Sequence, residues 1–332
     1  MDRRTLLAAA PLLILPGLAE AQPPAPAPAP AFPPPTLAMT PVAQGLHFPE
    51  APVVMNDGSV LFVQIEARQV SRLAPGGAVT LVAQLDGGPN GLAIGPDKAL
   101  YVANDGGRFS FNKRGAFNFP GAAPADHVGG SIQRVDLKTG QAVTLYDSCD
   151  GKRLVAPDDL VFDRHGGMWI SDLGKVRGDA RIYYALPNGK GIKQVKGGMN
   201  APNGIGLSPD GKQLHVSEGR QLWTFDIAGP GVLAPSASYP NAAHGMLRDR
   251  SIADSLKVLA DGKVCVCTLI AGGISIFDAA GATEFIQFDD PMTTNLAFGG
   301  RDMRDAWVTS SGAGRLLKVR WPYAGLKPAY AA

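Results

Sequence analysis

Oxygen-bearing side chains recur at the head of six similar segments of this sequence. Each segment has a polar residue, a short and mostly apolar stretch, and a turn that in five of the six cases carries Asp seven positions after the start. The six leading residues are Glu50, Asn90, Asp158, Asn203, Asp254 and Asn295. Carboxylate and amide oxygens suit hard divalent cations, whereas zinc and copper favour the His and Cys that are missing from these positions. If the side chains converge, they predict one site for Ca²⁺, or alternatively Mg²⁺ or Mn²⁺.

The spacing of the segments indicates a repeat architecture that would bring them together. Successive starts are 40, 68, 45, 51 and 41 residues apart, and periods of about 40–50 residues with several short strands are typical of β-propellers. No amphipathic helix of useful length interrupts the pattern. We therefore predict an all-β fold, a six-bladed β-propeller with four-stranded antiparallel blades around a central channel. Rotation about the channel would place the six leading residues, just before the innermost strands, in a ring at one mouth.

The longest interval is explained by an insertion within the second blade. The four strands of that blade are predicted at residues 91–94, 100–103, 131–135 and 142–146, which leaves residues 106–129 as an extra loop. The loop contains Arg108 and four phenylalanines. A loop of this length that leaves the mouth side of the propeller could cap the site. An external β-hairpin or an oligomer contact is the alternative interpretation.

A second polar set lies fourteen positions after each start, where the next strand returns to the same mouth. Its members are Gln64, Asn104, Asp172, Ser217, Thr268 and Thr309. Each could instead be a solvated strand end, but as a set they could hold a hydroxylated ligand above the cation. The residues predicted to bind substrate are Asn90, Asn104, Asp105, Asp172 and Asn295.

The first residues read as a targeting signal and a spacer. Arg3 and Arg4 precede an apolar run at 6–18 and the small-x-small sequence 19–21, which is the pattern of a secretory signal peptide, and the paired arginines suggest the twin-arginine route. The run is too short to span a bilayer. We assign 1–21 to the signal peptide, 22–41 to a Pro/Ala-rich linker, 42–322 to the propeller and 323–332 to a tail. The protein is expected to be exported, either periplasmic or secreted.

The net charge limits the class of binding partner, and the cysteines indicate whether disulfide bonds are expected. The net charge is +2 and no basic run is present, which argues against nucleic acid and leaves a small molecule as the expected partner. The three cysteines are Cys149, Cys265 and Cys267. They are interpreted as buried thiols, with a bond from Cys149 to one of the other two as the alternative. The sequence carries no indication of oligomeric state.

Several motifs, taken in order along the chain, resemble the SMP-30/gluconolactonase/LRE family of regucalcin-like lactonases. They lie at 49–52, 88–92, 156–163, 202–205, 254–256 and 290–295, and the resemblance covers nearly all of 45–321. It implies a six-bladed propeller that binds one divalent cation through Glu50, Asn203 and Asp254 and hydrolyses sugar lactones or related cyclic esters.

Two positions depart from the family pattern. Asp158 stands where the family usually has Asn, and Leu173 stands where close relatives tend to carry His. Asp158 would place a third carboxylate beside a doubly charged cation, so it is an extra ligand, a protonated acid or a base. The predicted metal ligands are therefore Glu50, Asn203, Asp254 and Asp158, and the predicted catalytic residues are Asp254 and Asp158.

The functional hypothesis is metal-assisted hydrolysis of a lactone, in which a carboxylate takes a proton from the attacking water. Two alternatives remain at this stage. One is a non-catalytic propeller that binds a ligand or partner and uses Ca²⁺ as a structural plug. The other is an arylesterase-like hydrolase on a related propeller, because a fold does not fix a function.

Overall fold

The described part of the chain consists mainly of short β-strands, arranged as six larger antiparallel sheets and two small two-stranded sheets. The computed structural model describes residues 37–235, 243–281 and 283–332. The predicted signal peptide, 1–21, and most of the predicted linker lie outside these residues. No helix is present within the described ranges, and so none there could cross a membrane.

The strands follow one another blade by blade. The chain begins with β1 (Met39–Gln44), and blade one comprises β2 (Pro49–Val54), β3 (Val60–Gln64), β4 (Gln69–Leu73) and β5 (Val79–Gln84). Blade two comprises β6 (Pro89–Ile94), β7 (Leu100–Asn104), the inserted strands β8 (Phe111–Arg114) and β9 (Phe117–Pro120), then β10 (Ser131–Val135) and β11 (Ala142–Tyr146). A small hairpin of β12 (Ser148–Cys149) and β13 (Lys152–Arg153) precedes blade three, which comprises β14 (Pro157–Phe162), β15 (Met168–Asp172), β16 (Ala180–Ala185) and β17 (Ile192–Met199).

Blades four to six follow the same arrangement of antiparallel strands. Blade four comprises β18 (Pro202–Leu207), β19 (Gln213–Glu218) and β20 (Gln221–Gly229), and β20 pairs with both β21 (Val232–Leu233) and β22 (Ala243–Met246). Blade five comprises β23 (Ile252–Val258), β24 (Val264–Leu269), β25 (Gly273–Phe277) and β26 (Thr283–Gln287). Blade six comprises β27 (Thr293–Gly299), β28 (Asp305–Ser310), β29 (Arg315–Arg320) and, as its outermost strand, β1.

The six sheets confirm the predicted six-bladed propeller. Inner strands such as β3 and β7 are buried along their whole length, whereas the outer strand β5 is mostly exposed. This gradient explains the sequence pattern: a strand covered on both faces by neighbouring blades is apolar throughout, and only an outer strand can tolerate polar residues on one face.

The ends of the propeller reach beyond the predicted boundaries. β1 starts at Met39, inside the predicted linker, and pairs with β29 from Met39↔Val319 to Gln44↔Arg315. At the other end, the backbone carbonyl of Ala332 accepts a hydrogen bond of 2.8 Å from the amide of Asn56. Both terminal segments of the described chain therefore pack on the propeller.

The insertion forms a hairpin that docks on the mouth side. Its strands β8 and β9 pair with each other. The amide of Asn118 donates to the carbonyl of Gly312 at 2.7 Å, and its side chain donates to Glu66 Oε2 at 2.9 Å. The ring of Phe111 lies 5.0 Å from that of Phe48. These contacts hold the hairpin against blades one and six.

The three cysteines are free and buried, which confirms the buried-thiol interpretation and corrects the alternative of a bond from Cys149.

Two glycines allow the innermost strands to approach the next blade. The Asn-Gly pairs at 90–91 and 203–204 lie in strands β6 and β18 rather than in turns. A Cβ on Gly91 would lie 2.7 Å from Cα of Asp159, and one on Gly204 would lie 2.7 Å from the carbonyl carbon of Ser255. A larger residue would therefore push neighbouring blades apart.

We expect Gly204→Ala to lower the free energy of unfolding by about 1–3 kcal/mol, because the added methyl group overpacks the contact between blades four and five. Urea denaturation measures the loss. Gly76→Ala is the matched control, since nothing lies within 4 Å of a Cβ at Gly76. Equal stability of the two variants would contradict the close-packing argument.

Candidate active site at the channel mouth

Five of the six leading residues face one cavity of about 550 Å³. They are Glu50, Asn90, Asp158, Asn203 and Asp254. The sixth, Asn295, lies behind the cavity wall, where its Nδ2 donates to Glu50 Oε2 at 2.7 Å. The sequence placed these residues before the innermost strands, whereas they occupy the second or third position within them.

A β-bulge at the start of each innermost strand accompanies this placement. The register of the innermost pair shifts between Glu50 and Val53 in blade one, and the equivalent shift lies between Pro202 and Ile205 in blade four. The other four blades carry the same irregularity. A bulge bends a strand and re-aims its side chains. This local kink is the structural basis for directing the leading residues toward the channel axis.

Carboxylates and amides alternate around the ring, and each carboxylate is bonded to the amide of the preceding blade. Glu50 accepts from Asn295, as described above. Asp158 Oδ1 accepts from Asn90 Nδ2 at 2.5 Å. Asp254 is hydrogen-bonded to the side chain of Asn203. We call these three contacts the acid–amide pairs.

Burial makes the ionised form of the three acids costly. Loss of hydration raises the pKa of Glu50 to about 7, against the lowering effect of its hydrogen bonds to Thr294 and Asn295. The pKa of Asp158 is raised well above its usual value, first by burial and then by the neighbouring charge of Asp254. Burial followed by repulsion from Glu50 does the same to the pKa of Asp254. These groups therefore need a positive partner to be charged together.

Basic side chains line the cavity but do not pair with the three ring acids. Arg108, Lys175 and Arg177 are part of the cavity wall, yet no Lys or Arg of the described residues forms an ion pair with Glu50, Asp158 or Asp254. Lys257 pairs instead with Asp159, its Nζ 3.6 Å from Oδ2. Direct neutralisation of the ring acids is therefore left to a ligand or to bound protons.

The donor set fits a hard divalent cation. Within the described ranges, no three His, Cys, Asp or Glu side chains converge tightly enough to hold a metal by themselves, so an amide oxygen is needed to complete the set. Asn203 provides one: its Oδ1 is buried and has no hydrogen-bond partner among the described residues. An unpartnered amide oxygen beside carboxylates matches the all-oxygen coordination of Ca²⁺ or Mg²⁺.

Asn104 and Asp172 do not face the cavity. Asn104 Oδ1 accepts from the amides of Gly88 and Gly106, both at 2.9 Å. Asp172 accepts from the amides of Val155, Ala156 and Gly174 at 2.8–2.9 Å. These backbone donors show that both residues close loops at strand ends, and neither lines the cavity; substrate contact by Asn104 and Asp172 stays a prediction.

Asp105 is also absent from the cavity wall. Its Oδ1 accepts from the amides of Gly107 and Arg108 at 2.7 and 2.9 Å, and burial raises its pKa to about 7. This arrangement fixes the beginning of the insertion. Asp105 Oδ2 is buried without a hydrogen-bond partner among the described residues, and the substrate-binding role of Asp105 stays a prediction.

Two loops contribute cavity residues that the repeat could not predict. The insertion supplies Arg108, Phe109 and Pro120, which favours the interpretation of the insertion as a cap. The loop after β15 supplies a second group of lining residues, including Lys175 and Arg177. The length of the insertion was the available signal for the first group. No pattern in the sequence marks the second group.

Comparisons with known proteins agree with this architecture. A family model described as "SMP-30/Gluconolactonase/LRE-like region" matches residues 48–312. Gluconolactonase from Zymomonas mobilis is 24% identical over 220 residues, which cover 58% of this chain and 55% of that protein. A gluconolactonase structure from Xanthomonas campestris has a TM-score of 0.69 at 19% identity and covers 86% of this chain and 90% of that chain.

A calcium-binding regucalcin from Agrobacterium tumefaciens has a TM-score of 0.67 at 18% identity, covering 87% of this chain and 97% of that chain. At these identities the structural matches support the fold. The chain spans about half the length of the sequence relatives that it matches.

We expect CaCl₂ to bind the protein with heat detectable by isothermal titration calorimetry, and Glu50→Gln to weaken binding by about tenfold or more, because a ligand charge is lost. Glu284→Gln is the control, since Glu284 is exposed on the outer strand β26 and outside the cavity wall. If Ca²⁺, Mg²⁺ and Mn²⁺ all fail to bind the unmodified protein, the cation site is wrong.

Proposed function

The chain belongs to the SMP-30/gluconolactonase/LRE-like family, and from this premise we propose that it hydrolyses sugar lactones or related cyclic esters with the help of one divalent cation. The cation proposed is Ca²⁺, with Mg²⁺ or Mn²⁺ as alternatives. The observation that supports the proposal most directly is the convergence of Glu50, Asp158, Asn203 and Asp254 on one cavity. The names of the sequence relatives, gluconolactonase, lactonohydrolase and lactonase, support the same reaction class.

The residues proposed to hold the cation are Glu50, Asn203 and Asp254, with Asp158 as a fourth ligand. When bound, the cation would polarise the lactone carbonyl and offset the negative charge that develops on its oxygen. Asn295 keeps Glu50 in place through its 2.7 Å hydrogen bond and acts as a positioning residue rather than a substrate contact. Asn90 lines the cavity and is the ring amide proposed to meet substrate hydroxyls.

A carboxylate of the ring serves as the general base. Water adds to the carbonyl carbon as its proton passes to the carboxylate. The ring C–O bond then breaks, and the same proton is returned to the departing ring oxygen, which yields the open hydroxy acid. We assign this role to Asp254 and keep Asp158 as the alternative base, because both are buried in the wall of the same cavity.

We expect Glu50→Ala and Asp254→Ala each to lower kcat/KM on a panel of aldonolactones by about a hundredfold or more, since each removes a group that stabilises the transition state. Acid release followed with a pH indicator measures the rate. Glu284→Ala, on the outer strand β26 and outside the cavity wall, is the matched control and retains activity. EDTA should abolish the activity of the unmodified protein and CaCl₂ should restore it. Retained turnover in either active-site variant contradicts the assignment.

Asp158→Asn separates the two candidate bases. If Asp254 is the base, the variant keeps kcat within about tenfold of the unmodified protein, because Asn still offers an oxygen to the cation. Cation affinity is measured on the same sample by calorimetry. Loss of hydrolysis in a variant that still binds Ca²⁺ would transfer the role of base to Asp158.

A further inference from the structure

Apolar side chains surround the carboxylates inside the cavity. We define the apolar collar as Phe48, Ile65, Phe109, Leu173, Ile252 and Leu269, all of which line the cavity wall. Three of them, Ile65, Leu173 and Leu269, lie fifteen residues after the leading acids of blades one, three and five. Each blade that carries a ring carboxylate therefore also contributes one apolar side chain to the cavity wall.

The equivalent position, fifteen residues after the leading residue, is polar in blades two, four and six, where the leading residue is Asn. There it holds Asp105, Glu218 and Ser310, none of which lines the cavity. Glu218 accepts from Trp223 Nε1 at 2.9 Å, and Ser310 donates to Asp290 Oδ2 at 2.7 Å. The polar members thus bind their own loops, and only the apolar members of this position face the ligand.

Arg108, Lys175 and Arg177 also line the cavity, but the part of the wall formed by the collar is poorly suited to a ligand that is polar on every side. A sugar hydroxyl pressed against Leu or Ile loses its bonds to water and gains no partner, which costs free energy. Part of the collar also stays wet without a ligand: Ile252 is 50% exposed. Covering that apolar surface with an apolar group would be favourable.

The cavity also has more room than a lactone ring alone requires. Its volume of about 550 Å³ falls in the range of about 300–1,000 Å³ that is typical of sites for drug-sized ligands. The carboxylates contact only the reacting end of such a ligand. Phe109, which belongs to the insertion, forms part of the cavity wall.

Resting on the proposed lactonase function, we propose that the preferred substrate is a lactone whose ring carries an apolar alkyl or aryl substituent, held by the apolar collar while the ring carbonyl meets the carboxylates. Hydrolysis proceeds as described above and the substituent takes no part in bond making or breaking. The collar therefore determines specificity.

The test compares δ-valerolactone with its 5-methyl, 5-propyl and 5-hexyl derivatives, with the full chain in CaCl₂. We expect kcat/KM to rise about two- to fourfold for each methylene that enters the collar, which is the value of burying one methylene group. The 5-hexyl lactone should exceed D-glucono-δ-lactone by about tenfold or more. A flat series, or D-glucono-δ-lactone as the better substrate, overturns the inference and leaves the lactonase proposal standing.

Variants locate the effect in the collar. Leu269→Ala and Leu173→Ala should each reduce the ratio of kcat/KM between the 5-hexyl and unsubstituted lactones by about threefold or more. Leu81→Ala is the matched control, because Leu81 is 58% exposed on the outer strand β5 and lies outside the cavity wall. An equal ratio in all three variants overturns the inference.

Lactam binding tests the apolar collar without requiring hydrolysis, so it distinguishes failure of the collar proposal from failure of the lactonase proposal. Affinities for 2-piperidinone and its 6-hexyl derivative are measured by calorimetry. If no lactone is hydrolysed but the hexyl lactam binds about tenfold or more tightly than 2-piperidinone, the collar is supported and the lactonase proposal fails. If no lactone is hydrolysed and the two lactams bind equally, both proposals fail.

Discussion

The close approach of innermost strands around the channel axis is the constraint on which the mouth of this propeller depends. Gly91 and Gly204 leave no room for a side chain between one blade and the next. Ser217 Oγ reinforces the contact, because it accepts from the amide of Gly204 at 2.8 Å and donates to the carbonyl of Asp254 at 2.5 Å. With the strands this near, side chains that are far apart in sequence must share one small volume.

The close approach of the strands brings buried carboxylates together, and their repulsion is partly offset by the amides that alternate with them around the ring. Each carboxylate receives one hydrogen bond from the amide of the preceding blade, which favours its ionised form but does not neutralise it. Burial and the neighbouring acids still hold the pKa of Asp158 and Asp254 well above the usual range. An empty ring therefore favours bound protons, and the proposed divalent cation would let the acids stay ionised together.

Positions that repeat with the blades could be predicted from the sequence, and positions fixed by one loop could not. The period placed Glu50, Asn203 and Asp254 in one ring because rotation carries each blade onto the next. The same logic did not predict the loop-closing hydrogen bonds of Asn104 and Asp172, since the backbone amides that donate to them belong to individual loops and have no signature in the repeat. The position of Lys175 in the cavity wall could not be predicted for a similar reason. The path of an irregular loop depends on its neighbours in space rather than on a pattern of residues.

The pairing of β1 with β29 sets the order in which this molecule can be completed. Blades one to five are each built from consecutive strands, so they can form from local contacts while the polypeptide is still being synthesised. Blade six joins Met39 to Val319, and contacts between residues so distant in sequence form slowly. The Glu50–Asn295 bond crosses the seam between blades six and one. The last acid–amide pair therefore forms only when the ring closes, and a nascent chain whose final strand is not yet available has an incomplete ring of acids and amides.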